Sequence, residues 1–178
     1  MEIEAIKKAL LQQIEKNGIS EKEYLQLGKD GKSYLQKRGE KYFLKIEFRK
    51  LISVAMTGGV FDIIHPGHIL TLSEAKKQAD LLIVAIATDE TVKKTKKREP
   101  MHRQPERVQM ANSLKPVDLA IAGGADWRQT LQQVSPDIVI FGYDQEEKKI
   151  EGIQTIKLDI FSSSEHSKTG KVREKLGF

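Results

Sequence analysis

The spacing of apolar and polar residues differs between the first fifty residues and the rest of the chain. In the first part, apolar side chains recur at helical intervals over residues 3–14 and alternate over residues 41–48, which predicts a helix and a later strand. Between them, Ser20 and Glu23 have the spacing of a capping box and predict a second, short helix. Residues 33–37 are expected to add a helical turn.

From residue 51 onward, short apolar runs alternate with helical segments. The apolar runs predict five strands, at residues 51–56, 81–87, 117–122, 138–141 and 153–158. The other segments predict helices at residues 67–79, 105–114, 127–134 and 167–176. Strands that alternate with helices indicate an α/β domain with a doubly wound, parallel, five-stranded sheet. We therefore divide the chain into a small appendage, residues 1–50, and an α/β domain, residues 51–178. The order of elements in the appendage resembles a small winged-helix unit.

Composition and charge narrow the classes of function. The chain has 178 residues and no cysteine, which excludes a disulfide scaffold, a thiolate nucleophile and a cysteine-ligated metal. Its longest purely apolar run, residues 81–87, is far shorter than a membrane span, so we expect a cytoplasmic protein with no membrane partner. Residues 1–50 hold 12 basic and 8 acidic residues, and thus +4 of the net charge of +5. Any nucleic-acid contact is accordingly expected through that segment alone.

A glycine-rich segment follows the first strand of the predicted α/β domain and opens its first helix, where residues 57–68 read TGGVFDIIHPGH. In an open α/β sheet, nucleotides bind outside the carboxyl end of a strand. Glycines let the backbone approach phosphate oxygens, and the helix N-terminus offers N–H groups and a partial positive charge. His65 and His68 at the helix start can donate to an α-phosphate as negative charge develops on it. The predicted nucleotide-binding residues of this segment are Thr57, Gly58, Gly59, Val60 and Phe61.

Residues 59–68, GVFDIIHPGH, resemble the GxFDxxHxGH motif of the HxGH nucleotidyltransferases, the cytidylyltransferase-like superfamily. The resemblance implies a Rossmann-like fold. It also implies an enzyme that transfers a nucleotidyl group from a nucleoside triphosphate to a phosphate monoester and releases pyrophosphate. By the same resemblance, His65 and His68 are catalytic residues that stabilise the transition state.

Later segments are similar to the same superfamily. Residues 87–92, ATDETV, resemble its segment after the second strand and place Asp89 near the nucleotide. Counting from Asp89 assigns the family's phosphate-binding lysine to Lys96, which we take as catalytic. Counting back from Arg107 assigns it to Lys97, which we take as nucleotide-binding. The open alternatives are Lys93 and Lys94. Arg107 resembles the family's helix-borne arginine, whose planar donor group suits phosphate.

Two short sequence segments indicate one branch of the superfamily. Residues 114–118, LKPVD, and residues 136–145, PDIVIFGYDQ, look like the archaeal FAD synthases, which adenylylate FMN. By that resemblance, Gly142 and Asp144 lie near the base and ribose of the nucleotide. In the tail, hydroxyl groups at a predicted helix N-terminus suit the β- and γ-phosphates. Residues 162–164 compete for that role, and the residues favoured are Ser167 and Thr169.

The reaction favoured by resemblance is ATP plus FMN to FAD plus pyrophosphate. One alternative is a CTP-dependent cytidylyltransferase acting on glycerol 3-phosphate or a similar alcohol phosphate, and another is a nucleotide-sensing DNA-binding regulator. Mg²⁺ is expected on the triphosphate, held largely by substrate and water. Asp62 or Asp144 would assist it indirectly, and no metal site built by the protein is predicted. A homodimer is expected. We expect Trp127 to pack on its helix, with stacking on a base or flavin as the alternative.

Overall fold

The computed structural model describes residues 2–143 and 145–159 of the chain. The chain divides into two compact units, Met1–Ser53 and Val54–Phe178. Each unit has its own β-sheet. Among the described residues, no helix combines the length and the apolar character needed to cross a membrane.

The first unit combines short helices with a small antiparallel sheet. Its elements are α1 (Glu2–Lys16), β1 (Ile19–Ser20), α2 (Glu21–Gln26), α3 (Lys29–Ser33), β2 (Leu35–Arg38), β3 (Lys41–Leu44) and α4 (Ile46–Arg49). The strands have the order β1-β3-β2. One face of α1 is buried through Ile6, Leu10 and Ile14, as the helical spacing of its apolar residues predicts.

The start of α2 confirms the capping box. The Ser20 Oγ accepts a hydrogen bond from the backbone N–H of Glu23 at 3.4 Å, and the Glu23 carboxylate accepts one from the backbone N–H of Ser20 at 3.0 Å. The turn before it requires a glycine, because Gly18 has a φ of +100° and an added Cβ would lie 2.7 Å from the Phe43 ring.

Two predictions for this unit are wrong. The helical turn predicted at residues 33–37 is absent, because Leu35–Arg38 forms β2 and pairs with β3. Gly39, with a φ of +61°, permits the tight connection between these two strands. The strand predicted over residues 41–48 ends at Leu44, and the chain then forms α4.

The second unit is built around a parallel sheet. Its elements are β4 (Val54–Gly59), α5 (Pro66–Lys76), β5 (Leu81–Ile86), α6 (Asp89–Lys96), α7 (Gln104–Asn112), β6 (Leu119–Ala122), α8 (Trp127–Val134), β7 (Ile138–Phe141) and β8 (Gln154–Lys157). The sheet order is β6-β5-β4-β7-β8, and every neighbouring pair is parallel. The predicted α/β fold with five parallel strands is therefore confirmed.

The order of the strands locates the binding crevice. From β4 the chain builds the sheet outward through β5 to β6, and it then crosses over to place β7 on the other side of β4. Ligands bind at such a reversal, outside the carboxyl ends of the strands. We call the edge of the sheet where all five strands end the carboxyl edge. The glycine-rich segment lies at this edge, at the end of the central strand.

Some boundaries differ from those predicted. The first strand of this unit is Val54–Gly59 instead of residues 51–56, and Leu51 before it is exposed. Helix α6 lies in a segment for which no helix was predicted. The Thr88 hydroxyl caps it by accepting from the backbone N–H of Thr91 at 3.0 Å, and Val92 is its buried residue, so no apolar periodicity marks it in the sequence. The helix predicted at residues 167–176 lies outside the described residues.

Candidate functional site

The loop between β4 and α5 brings the two motif histidines together. Helix α5 begins after His65, its N-cap residue, and Pro66 occupies the first turn, where a missing backbone N–H costs nothing. The rings of His65 and His68 are stacked, with centroids 3.8 Å apart. Both rings therefore lie at the positive end of the α5 dipole, which favours a bound anion.

Burial determines the charge of His68. It lowers the pKa of His68 to about 3, and the neighbouring His65 contributes in the same direction. His68 is consequently neutral at pH 7 in the free protein. Its Nδ1 is buried and has no hydrogen-bond partner among the described residues. A buried polar atom of this kind is costly unless it is paired, so the ring is suited to a hydrogen bond with a ligand.

Phe61 supports this pair of rings from an unusual backbone conformation. Its φ is +50°, in the left-handed region that phenylalanine rarely adopts. Its ring is buried and lies 4.9 Å from the His68 ring, measured between centroids. Residues in such conformations are held there by their surroundings and concentrate at functional sites.

The two glycines of the motif differ in how closely they are packed. A Cβ added to Gly59 would lie 2.6 Å from the Phe61 ring, whereas one added to Gly58 would meet only the Ala85 carbonyl oxygen, at 3.6 Å. Gly59 thus provides the space for Phe61. Thr57, also at the end of β4, is buried, while Val60 is partly exposed.

The Asp62 carboxylate connects this loop to residues 98–102. It accepts hydrogen bonds from the backbone N–H of Met101 at 2.9 Å, from that of His102 at 3.0 Å and from the Arg98 guanidinium at 2.8 Å. Burial alone would raise the pKa of Asp62, but these donors hold the pKa below its ordinary value. Asp62 is therefore an ionised, fully engaged carboxylate, which leaves little capacity for the indirect magnesium role expected of it.

Arg107 lies at the centre of the loops and is fully buried. Its guanidinium donates to the carbonyl oxygens of Val60 at 2.6 Å, Ala87 at 2.7 Å and His102 at 3.0 Å. It also donates to the Asp89 carboxylate at 2.7 Å. Arg107 and Asp89 thus bind each other and join the loops after β4 and β5, whereas Arg107 was predicted to bind phosphate and Asp89 to lie near the nucleotide.

The predicted phosphate-binding lysines lie at the end of α6. Lys96 is its last helical residue, and Lys97 ends the helix in a left-handed conformation with a φ of +54°. Both are exposed, and within the described part of the chain neither forms an ion pair. Lys93 instead pairs with Glu99 at 2.9 Å. Lys96 and Lys97 therefore have ammonium groups available for phosphate.

Two glutamines that we did not predict to belong to the site connect strands at the carboxyl edge. Gln145 accepts from the backbone N–H of Gly142 at 2.9 Å and donates to the Gly58 carbonyl oxygen at 2.8 Å. Gln104 donates to the carbonyl oxygens of Ile86 at 2.7 Å and Gly123 at 2.9 Å. The GYDQ string indicated the region of Gln145, but no sequence signal identified Gln104.

Three residues of the predicted site, Asp144, Ser167 and Thr169, lie outside the described residues. In the described ranges, no group of three or more histidine, aspartate or glutamate side chains is arranged to hold a metal ion.

Comparison with known proteins adds independent findings. Residues 56–165 match the family described as Cytidylyltransferase-like. The chain is 40% identical over 132 residues to the FAD synthase of Aciduliprofundum boonei, a match that covers 68% of this chain and 88% of that protein. It is 48% identical over 102 residues to the FAD synthase of Methanopyrus kandleri, covering 54% of this chain and 67% of that protein.

A solved structure is also similar. It is the crystal structure of the lipopolysaccharide core biosynthesis protein from Thermoplasma volcanium, which matches with a TM-score of 0.58 at 33% identity. The match covers 62% of this chain and 99% of that one.

Proposed function

Because the chain belongs to the cytidylyltransferase-like family and is an enzyme of the nucleotidyltransferase class, we propose that it is an FAD synthase. In this reaction the phosphate of FMN attacks the α-phosphorus of ATP. The new bond joins the FMN phosphate oxygen to that phosphorus, and the bond from the α-phosphorus to the bridging oxygen of the β-phosphate breaks. Pyrophosphate leaves with the electron pair, and AMP joined to FMN is FAD.

The observation that supports this proposal most directly is the pair of stacked histidines at the N-terminus of α5. The attacking phosphate is already ionised at pH 7, so the reaction needs no protein nucleophile. The enzyme must hold two polyanions in line and stabilise the charge that develops at the α-phosphate. His65 and His68 supply N–H donors for this purpose in a partly dry site, where such donors are most effective.

The surrounding residues are assigned complementary tasks. Gly58 and Gly59 allow the backbone to approach the phosphates, and the helix dipole of α5 favours their charge. Lys96 and Lys97 would bind the triphosphate from the end of α6. Arg107, Asp89 and Asp62 keep the loops in place and are positioning residues. Gly142, tied to β4 through Gln145, lies where the base and ribose are expected.

In this proposal, Mg²⁺ is bound to the triphosphate of ATP and not to a site built by the protein. Because the Asp62 carboxylate already accepts from the Arg98 guanidinium and from two backbone N–H groups, we expect the ion to be held largely by phosphate oxygens and water. Such an ion would neutralise triphosphate charge.

The proposal is tested by giving the full chain α-labelled ATP or α-labelled CTP, each with FMN or with glycerol 3-phosphate. We expect label in FAD from ATP and FMN, with one pyrophosphate released per FAD formed. Label in CDP-glycerol would favour the CTP-dependent alternative instead. No labelled adduct from any of the four pairs would overturn both proposals.

The role of the first unit is a separate proposal. Its sheet order β1-β3-β2, with α2 and α3 between the first two strands, supports the winged-helix interpretation and so a nucleic-acid contact. Salt-dependent DNA binding that is lost when Lys37 and Arg38 are both changed to Ala would support it. Binding that is unchanged in this variant would contradict it. The expected homodimer is checked by measuring the mass of the full chain in solution.

A further inference from the structure

Three large apolar side chains remain exposed in the described part of the second unit. The exposed fraction is 38% for Ile69, 51% for Met101 and 45% for Trp127. We call them the apolar rim. Single exposed apolar residues are ordinary on a protein surface, but these three all belong to segments at the carboxyl edge of the sheet. Trp127, which the sequence predicted to pack on its helix, is thus only partly covered.

Each residue of the rim is attached to the site by its backbone. Ile69 lies in the first turn of α5, directly after His68. The backbone N–H of Met101 donates to Asp62 in the loop that follows β4. Trp127 is the first residue of α8, immediately after the loop that follows β6.

The loop before Trp127 is firmly held. The backbone N–H of Gly123 donates to the Ile86 carbonyl oxygen at 2.8 Å. The Gln104 side chain donates to the carbonyl oxygens of Ile86 and Gly123. An added Cβ on Gly123 would lie 2.9 Å from the Ile86 carbonyl oxygen, so the two strand ends approach closely. The Asp126 carboxylate caps α8 by accepting from the backbone N–H of Arg128 at 3.0 Å. Trp127 is thus an exposed ring on a fixed support.

The spacing of the strands that precede this ring and the histidines suits an elongated acceptor. Adjacent strands lie about 4.8 Å apart, so the ends of β4 and β6, separated by β5, are roughly 10 Å apart. An acceptor phosphate at His68 leaves the rest of the acceptor to extend toward β6 or toward β7. The β7 side, with Gly142, is where the base and ribose of the nucleotide are expected, so the β6 side remains for the acceptor.

On this basis, and resting on the proposed function, we propose that the isoalloxazine ring of FMN binds at the apolar rim and stacks on Trp127. The ribityl chain would span the distance between the rim and the phosphate at the histidines. A large, flat, weakly charged ring matches an exposed indole, and the Met101 thioether and the Ile69 side chain are the other large apolar groups exposed in the described part of this unit. Arg128, whose guanidinium lies 5.4 Å from the centroid of the indole, adds a cation beside the ring.

The test measures the KM for FMN and the KM for ATP in Trp127→Ala and Trp127→Phe, together with FMN binding by calorimetry. Loss of one stacking contact is expected to raise the KM for FMN about tenfold or more, with the KM for ATP unchanged. Trp127→Phe should restore most of the loss, because it retains a flat ring. The control is Ile46→Ala, which removes a side chain of similar exposure, 57%, from the first unit and should change neither KM.

The outcomes separate this inference from the proposed function. If the wild-type chain forms FAD and Trp127→Ala leaves the KM for FMN unchanged, the flavin subsite is wrong and the proposed function stands. If the wild-type chain binds FMN, Trp127→Ala weakens that binding and no FAD forms, the subsite stands and the proposed function fails. If the wild-type chain does not bind FMN, both are overturned.

Discussion

The guanidinium of Arg107 donates a hydrogen bond to the Asp89 carboxylate at 2.7 Å from a position with no exposed surface. Since the remaining bonds of Arg107 go to three backbone carbonyl oxygens, a single side chain fixes the loops after β4 and β5 and the segment before α7. The geometry of the site therefore depends on a residue that is not itself exposed to the substrate.

Arg107→Lys is expected to destabilise the protein severely. An ammonium group cannot reach the four acceptors that the guanidinium binds, and losing a hydrogen bond of a buried charged group costs about 1.5–3 kcal/mol. The measurement is the free energy of unfolding in urea, with the exposed Arg128→Lys as control, which should stay within about 0.5 kcal/mol of the wild type. Equal stability of Arg107→Lys and the wild type would contradict the positioning role.

The motif glycines provide a matched pair of substitutions. Gly59→Ala places a methyl group against the Phe61 ring and is expected to cost about 1–3 kcal/mol, the usual penalty of overpacking. Gly58→Ala meets only an ordinary contact at 3.6 Å and should be the milder of the two. Thermal unfolding of both variants checks this order. The reverse order would show that the position of the Phe61 ring does not require a glycine at residue 59.

The pKa of His68 predicts a specific dependence of stability on pH. The unfolded chain binds a proton at His68 near pH 6.5, whereas the folded protein does so only near pH 3. The folded state is thus fully stabilised above pH 6.5 and loses stability as the pH falls from 6.5 toward 3. At pH 5 the loss from this residue is on the order of 2 kcal/mol.

Urea unfolding at pH 7 and at pH 5 tests this expectation, with His68→Gln as the comparison, because glutamine does not titrate. The wild type should lose more stability than the variant between the two pH values. Identical losses in the two proteins would mean that His68 is not buried in its neutral form.

Lys96 and Lys97 are expected to bind the triphosphate. Changing both to Ala should lower kcat/KM for ATP about tenfold or more, since a hydrogen bond to a charged group contributes ~1.5–3 kcal/mol. Lys115→Ala is the control. This lysine is also exposed, but it precedes β6 and therefore lies toward the amino ends of the strands, away from the carboxyl edge. A double variant with the kcat/KM of the control would show that Lys96 and Lys97 are ordinary solvated surface residues.

Local patterns predicted much of the fold. Strand β5 is apolar throughout because both faces of the parallel sheet are covered. The segment between β4 and α5 was predictable as a site because its glycines and histidines lie close together in the sequence. Helix α6 escaped prediction because a capped, almost wholly polar helix has no apolar period. The burial of Arg107 was not predicted either, because it depends on loops that come together only in the folded chain.

The central claim is that His65 and His68 stabilise the transition state of nucleotidyl transfer. The most direct measurement is kcat for FAD formation from ATP and FMN by the full chain, compared between the wild type and the single variants His65→Ala and His68→Ala. Loss of one such donor should lower kcat by about 10²–10³-fold with little change in ATP binding. Wild-type kcat in both variants would contradict the claim.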